Sequence, residues 1–104
     1  MKLYIGGLYQ GQEELAKKEN PGAEIFCRFE EGLRGVEDPQ GYARAFCRAH
    51  PEAVVVAHEI GCGIVPLDAG DRAWREAAGR ALCVIAQESS QVVRVFCGIG
   101  VRIK

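Results

Sequence analysis

The sequence predicts an α/β fold in three layers, with a mostly parallel sheet between helices. Short apolar runs alternate with segments of helical periodicity in the order β-α-β-α-β-α-β-β. Residues 53–57 form a continuous, largely β-branched run, which is typical of a strand covered on both faces. Glycine and proline mark most boundaries. At 104 residues with 48% hydrophobic composition, the chain is expected to form a single domain over residues 1–104.

The first half of the chain predicts two strands and two helices. A strand at residues 3–5 leads into a helix over about 10–19, which Asn20, Pro21 and Gly22 end. Residues 25–29 alternate apolar and polar, as in a half-buried strand at a sheet edge. A second helix begins at Asp38 and Pro39. Its expected buried face consists of Tyr42, Ala45, Phe46 and Ala49.

The second half predicts a central strand, a glycine-rich loop, a long helix and two final strands. The strand at 53–57 is followed by the loop at 61–66, which is too rich in glycine and proline to be regular. The apolar stripe of the long helix consists of Trp74, Ala78, Ala81, Leu82 and Ile85. Strands are predicted at 92–97 and 101–103.

Charge and hydropathy argue against two classes of partner. Thirteen Lys and Arg against fourteen Asp and Glu give a formal net charge of −1, without the basic surplus typical of nucleic-acid binding. No apolar run approaches the roughly 20 residues that span a bilayer, and the first residues lack the apolar stretch of a signal peptide. We therefore expect a cytoplasmic protein that binds neither nucleic acid nor membrane.

The five cysteines are spaced without any C-x-x-C pair, so the sequence predicts no metal site. Cys27, Cys47, Cys83 and Cys97 lie in apolar runs and are expected in the core. Cys62 lies between two glycines, four residues after His58, which leaves a Cys–His nucleophile open, although no third group orients it.

A glycine loop follows the first strand and opens the first helix. Residues 6–13 read G-G-L-Y-Q-G-Q-E, against the phosphate-binding pattern G-x-x-x-x-G-K-[ST]. Gly6 and Gly11 have the required spacing, but Gln12 and Glu13 stand at the Lys and Ser/Thr positions. Alone, this half-motif is weak evidence for a nucleotide site.

Residues 54–66 make the loop more informative. They read V-V-V-A-H-E-I-G-C-G-I-V-P, which resembles the N-E-V-G-x-G-I-V-P segment of the bifunctional adenosylcobinamide kinase / adenosylcobinamide-phosphate guanylyltransferase family of cobalamin biosynthesis. The helix at 72–83 and the final residues, 91–104, are also similar to that family. The resemblance covers about residues 1–15 and 53–104.

The resemblance implies a P-loop NTPase-like fold, with ATP or GTP and Mg²⁺ as the corresponding ligands. It implies nucleotide-binding positions at Gly6, Gly7, Gly11, Gln12, Glu13, Gly61 and Gly63. Glu59 corresponds to the family's acidic residue and is the catalytic candidate, with an exposed loop carboxylate as the alternative. His58 is open between a general base and a hydrogen-bonded residue at a strand end.

The sequence departs from the family pattern at several positions, and these departures lead to two hypotheses for function. The loop lacks Lys and Ser, His58 replaces the family's Asn, and no H-R-x-R-R-P-type motif is present, so guanylyl transfer is not expected. The first hypothesis is a shortened nucleotide- or corrinoid-binding protein with weak or lost catalysis. The alternative is a catalytically silent interaction or regulatory protein. Shortening is expected to expose an apolar sheet edge that a homo-oligomer or another protein covers.

Overall fold

The computed structural model describes residues 1–60 and 68–104. The strands are β1 (Lys2–Gly6), β2 (Ile25–Phe26), β3 (Val54–His58), β4 (Gln91–Phe96) and β5 (Ile99–Arg102). The α-helices are α1 (Gln12–Glu19), α2 (Pro39–Ala49) and α3 (Ala69–Glu88), and a 3₁₀ helix covers Phe29–Leu33.

The five strands form one sheet in the order β2-β3-β1-β4-β5. β1 lies at its centre and pairs in parallel with both β3 and β4, so that Leu3 lies between Val55 and Val92. Only β5 runs antiparallel, and it forms a hairpin with β4. The predicted mostly parallel sheet is confirmed, and the carboxyl ends of β1 and β3 meet at one edge.

Alternate residues of the strands point to opposite faces of the sheet, and different helices cover the two faces. Leu3, Val55 and Val92 lie in a core with α2, α3 and the 3₁₀ helix. Tyr4, Val56, Val93 and Val95 lie in a second core with Ala16 of α1. The layering is therefore helix, sheet, helix, as the sequence predicts.

The end of α1 is fixed to the sheet by a buried polar contact. The Tyr4 hydroxyl donates to Glu19 at 2.8 Å and accepts from the Asn20 amide at 3.0 Å. Burial, followed by the Glu19 hydrogen bond, raises the pKa of Tyr4 above its ordinary value. The hydroxyl therefore stays protonated at neutral pH and keeps donating to Glu19.

The strand expected at 25–29 is wrong beyond Phe26. Arg28 adopts a left-handed conformation with φ of 55°, and the chain then turns into the 3₁₀ helix. Phe29 and Leu33 are buried by this turn in the core beneath α2 and α3. Tertiary packing of these two side chains thus overrides the local alternation.

The first helix begins later than expected, at Gln12, because Gly11 caps it with φ of 85°.

The buried face of α2 differs from the expected one. Ala43 is fully buried and Phe46 half-buried, whereas Ala45 and Ala49 are exposed. Phe46 contacts the rings of Phe26 and Phe29 at 4.9 and 5.0 Å between centroids, which sets the rotation of the helix. The predicted Asp38 cap is confirmed, since its carboxylate accepts from the Gly41 N–H.

The predicted stripe of α3 is confirmed for Ala78, Ala81, Leu82 and Ile85, which are buried, while Trp74 is half-buried against the same core.

Two of the four cysteines expected in the core are on the surface. Cys83 and Cys97 are exposed, whereas Cys27 and Cys47 are half-buried. Cys83 lies on the outer side of α3, and Cys97 lies in the β4–β5 turn with φ of 50°. Burial raises the pKa of both Cys27 and Cys47, so these thiols stay protonated at neutral pH.

Gly6 and Gly79 offer a matched test of the packing around β1. A Cβ added at Gly6 would lie 2.6 Å from the Val95 carbonyl oxygen, whereas one at Gly79 of α3 would meet nothing within 4 Å. We expect Gly6→Ala to destabilise the fold by about 1–3 kcal/mol through overpacking. Gly79→Ala should stabilise it by about 0.5–1 kcal/mol through helix propensity. Urea unfolding measures both, and equal effects of the two substitutions would contradict this packing.

Candidate functional site

The loop between β1 and α1 is held against the β4–β5 turn. The Gln10 side-chain oxygen accepts from the Cys97 backbone N–H at 2.7 Å, and the Gln10 carbonyl accepts from Gly98 at 2.7 Å. Tyr9 has a positive φ of 60°, and the residue is 97% exposed. The loop therefore has a defined shape, with one aromatic ring projecting into solvent.

The side chain of Gln12 points into this loop rather than out of it. The residue is 2% exposed, and its Nε2 lies 3.1 Å from the Gly6 and Gly7 carbonyl oxygens. The same nitrogen lies 3.3 Å from the Ala57 carbonyl oxygen of β3. One amide group thus joins the end of β1, the loop and β3.

Glu13 adds a negative charge beside the loop. Its carboxylate bonds Lys17 of the same helix at 2.9 Å. That hydrogen bond, together with the Lys17 charge, lowers the pKa of Glu13. The carboxylate is therefore ionised at neutral pH, at the amino end of α1 where a helix favours an anion.

Glu59 follows β3 and lies close to β1. Its backbone N–H donates to the Gly6 carbonyl at 2.8 Å. Its carboxylate oxygens lie 3.3 and 3.2 Å from one Arg94 nitrogen on β4, and the nearer oxygen is buried without hydrogen-bond geometry. Glu59 is thus an ion-pair partner across the end of the sheet, and its role as a catalytic residue stays a prediction.

A cavity of about 520 Å³ opens at the carboxyl ends of β1 and β3, beside the loop. Its described lining combines apolar and aromatic side chains with charged ones. The apolar and aromatic ones are Leu8, Tyr9, Val56, Ile60 and Trp74, and the charged ones are Glu13, Glu14, Glu30, Glu31 and Arg28; His58 also lines the cavity. Across residues 1–60 and 68–104, no three His, Cys, Asp or Glu side chains converge as a metal site would require.

The cavity contains a buried carboxylate that sequence reasoning missed. Glu30 of the 3₁₀ helix is 2% exposed. One of its oxygens accepts from the His58 backbone N–H at 2.8 Å, and the other lies 3.2 Å from His58 Nδ1. The Trp74 indole donates to the Glu30 carbonyl at 2.6 Å. A strand at this position would place Glu30 on the solvent side. The alternation pattern therefore predicts an exposed side chain where the structure has a buried one.

The structure brings most of the predicted site residues to one end of the sheet. Gly6, Gly7, Gly11, Gln12 and Glu13 form or flank the loop, and Glu59 lies next to it. Gly61, Cys62 and Gly63 lie outside the described residues. The nucleotide-binding role of the loop stays a prediction.

The fold and this site define an α/β protein of P-loop-like architecture. Residues 28–103 match the family model described as "Cobinamide kinase / cobinamide phosphate guanyltransferase", and the chain belongs to that family. The glycine loop lies before the matched residues. In the part of the chain that the structure describes, no helix is long and apolar enough to cross a membrane.

Two curated proteins named "Bifunctional adenosylcobalamin biosynthesis protein CobU" are similar to the chain. The protein from Salmonella typhimurium strain LT2 is 39% identical over 72 residues, which cover 68% of this chain and 40% of that protein. The protein from Escherichia coli K12 is 43% identical over 61 residues, covering 58% of this chain and 34% of that protein. The aligned residues thus span less than half of either relative.

Replacing Gln12 tests the contact that joins the loop to the sheet. In Gln12→Ala, three carbonyl groups lose their shared donor, and we expect a loss of about 1–3 kcal/mol in the free energy of unfolding. Gln87→Ala, at an exposed position of α3, should change it by less than about 0.5 kcal/mol. Chemical denaturation measures both variants. Equal stability of Gln12→Ala and the parent protein would show that the amide is not a structural contact.

Proposed function

We propose that this chain binds a corrinoid-related ligand in the cavity beside the loop and has lost phosphoryl transfer. The observation that carries the proposal is the direction of the Gln12 amide, which bonds three backbone carbonyls instead of pointing outward. The family membership supplies the ligand class, because its members are described by their action on cobinamide.

The loop chemistry disfavours a nucleotide phosphate. A phosphate-binding loop neutralises its ligand with a Lys ammonium and holds Mg²⁺ through a hydroxyl. Gln12 is neutral and its donors are used, while Glu13 carries a negative charge where the hydroxyl would stand. Losing the Lys charge and adding a carboxylate both reduce the stabilisation of the transition state for phosphoryl transfer. Each loss of about 1.4 kcal/mol lowers the rate tenfold, so the two changes together are expected to remove most of this activity. The residues present therefore do not fit Mg·ATP or Mg·GTP.

The cavity itself favours a neutral or cationic ligand. Glu13, Glu14 and Glu31 line it, with Arg28 as the basic residue among its described lining. Trp74 and Ile60 supply apolar wall. A corrinoid combines an apolar ring edge with amide side chains and a positively charged metal, which suits this mixture. A volume of about 520 Å³ accommodates part of such a ring with its substituents.

Binding measurements with two probes test this function. We expect cobinamide to raise the melting temperature by several degrees at about a hundredfold its dissociation constant. Mg·ATP should have no effect on the parent protein. The double variant Gln12→Lys, Glu13→Ser should gain Mg·ATP binding, because it restores the charge and the hydroxyl. Phosphoryl transfer by the parent protein, or an absence of cobinamide binding, would contradict the proposal.

The alternative, a catalytically silent interaction protein, is favoured by an exposed apolar surface on the β4–β5 hairpin. Ile99 and Val101 are 67% and 55% exposed and lie on the same face as Phe96, which pairs with Ile99. β5 is also the edge strand of the sheet. An antiparallel edge can pair with its own copy across a two-fold axis, since both partners present the same surface. We propose a second copy of this chain as the occupant.

The oligomeric state tests that occupant. Sedimentation should show a dimer for the parent protein and a monomer for Ile99→Lys, because an unpaired charge in the apolar contact opposes association. Glu52→Lys, at an exposed position after α2, is the matched control and should leave the dimer intact. A monomeric parent protein at concentrations of about 100 µM would exclude this contact.

A further inference from the structure

We infer that His58 is a hydrogen-bond acceptor through which the cavity recognises an amide-bearing ligand, and that Glu30 is the residue that positions it. This inference rests on the proposed function for the ligand and on the geometry of the Glu30–His58 pair for the acceptor. The resemblance of the glycine loop to a phosphate-binding loop assigns no role to His58 or Glu30.

The geometry determines which ring nitrogen of His58 carries the proton. One oxygen of Glu30 accepts the His58 backbone N–H at 2.8 Å, and the other lies 3.2 Å from Nδ1. A carboxylate only accepts hydrogen bonds, so the ring nitrogen that faces it, Nδ1, is the one assigned the proton in the neutral tautomer of the ring. Nε2 then has a free lone pair, the arrangement in which a carboxylate fixes the tautomer of a functional histidine.

Packing prevents Glu30 from leaving this position. Its side chain is 3% exposed, while that of His58 is 26% exposed. Trp74 donates to the Glu30 carbonyl at 2.6 Å, and the Arg34 guanidinium covers the Trp74 ring at 4.1 Å. On the other side, His58 pairs in register with Gly6 of β1. The imidazole is thus held on a strand rather than on a mobile loop.

The chemistry of the cavity indicates the ligand group that His58 accepts from. The carboxylates of Glu13 and Glu31 are acceptors, as is Nε2, and the cavity is therefore rich in acceptors. A phosphate offers mainly acceptors and negative charge, and it gains little here. A carboxamide offers two N–H donors without charge, so it can satisfy Nε2 and a carboxylate together.

The first experiment examines the ligand-free protein. Long-range ¹H–¹⁵N NMR correlations distinguish protonated from unprotonated ring nitrogens, and His58→Gln assigns the signals. We expect the neutral His58 ring to carry its proton on Nδ1, and Glu30→Gln to shift the tautomer ratio towards Nε2–H. A proton on Nε2 in the parent protein overturns the inference, whether or not cobinamide binds.

The second experiment measures cobinamide binding by titration calorimetry. His58→Phe keeps a ring and removes the acceptor, and we expect it to weaken binding at least tenfold. His58→Gln, which keeps an acceptor oxygen, should recover part of that loss, and His50→Phe, outside the cavity lining, should bind as the parent does. Unchanged affinity in a folded His58→Phe overturns this inference and leaves the proposed function standing. A parent protein that binds no cobinamide overturns the proposed function, and ligand recognition by His58 with it.

Discussion

The contact between the Gln12 amide and three backbone carbonyls determines the form of the site. The first of those carbonyls, from Gly6, lies at the end of β1, the second, from Gly7, lies in the loop, and the third, from Ala57, lies on β3. Buried carbonyls that lose a donor are costly, so the amide stabilises the loop in the shape that brings these carbonyls together. The same contact keeps the two central strands aligned at their carboxyl ends, where the cavity opens.

The rest of the site follows from that arrangement. The described lining of the cavity carries several carboxylates, and its Glu30–His58 pair comes from the 3₁₀ helix and β3. Glu59 and Arg94 neutralise each other across the end of the sheet. The chain thus keeps the scaffold of the cobinamide kinase and guanyltransferase family, and the proposed function is binding without transfer of phosphate.

The sequence predicts the buried elements well and the site only in part. β3 and α3 follow directly from a β-branched run and a helical stripe, and both are confirmed. The strand predicted at 25–29 ends at Phe26, because a left-handed Arg28 and the burial of Phe29 are tertiary effects that alternation does not record. Glu30 turns inward for the same reason. The sequence shows that Gln12 stands at the lysine position of the loop. It does not show that the Gln12 side chain points inward, because its partner carbonyls come together only in the folded sheet.

The side-chain amide signal of Gln12 in an NMR titration with Mg·ATP tests the central claim most directly. If the amide is held by the three carbonyls, its protons exchange slowly with solvent and its resonances stay in place at millimolar nucleotide. A rapidly exchanging amide, or one that shifts as Mg·ATP binds, would show that the loop opens to phosphate and would contradict the account.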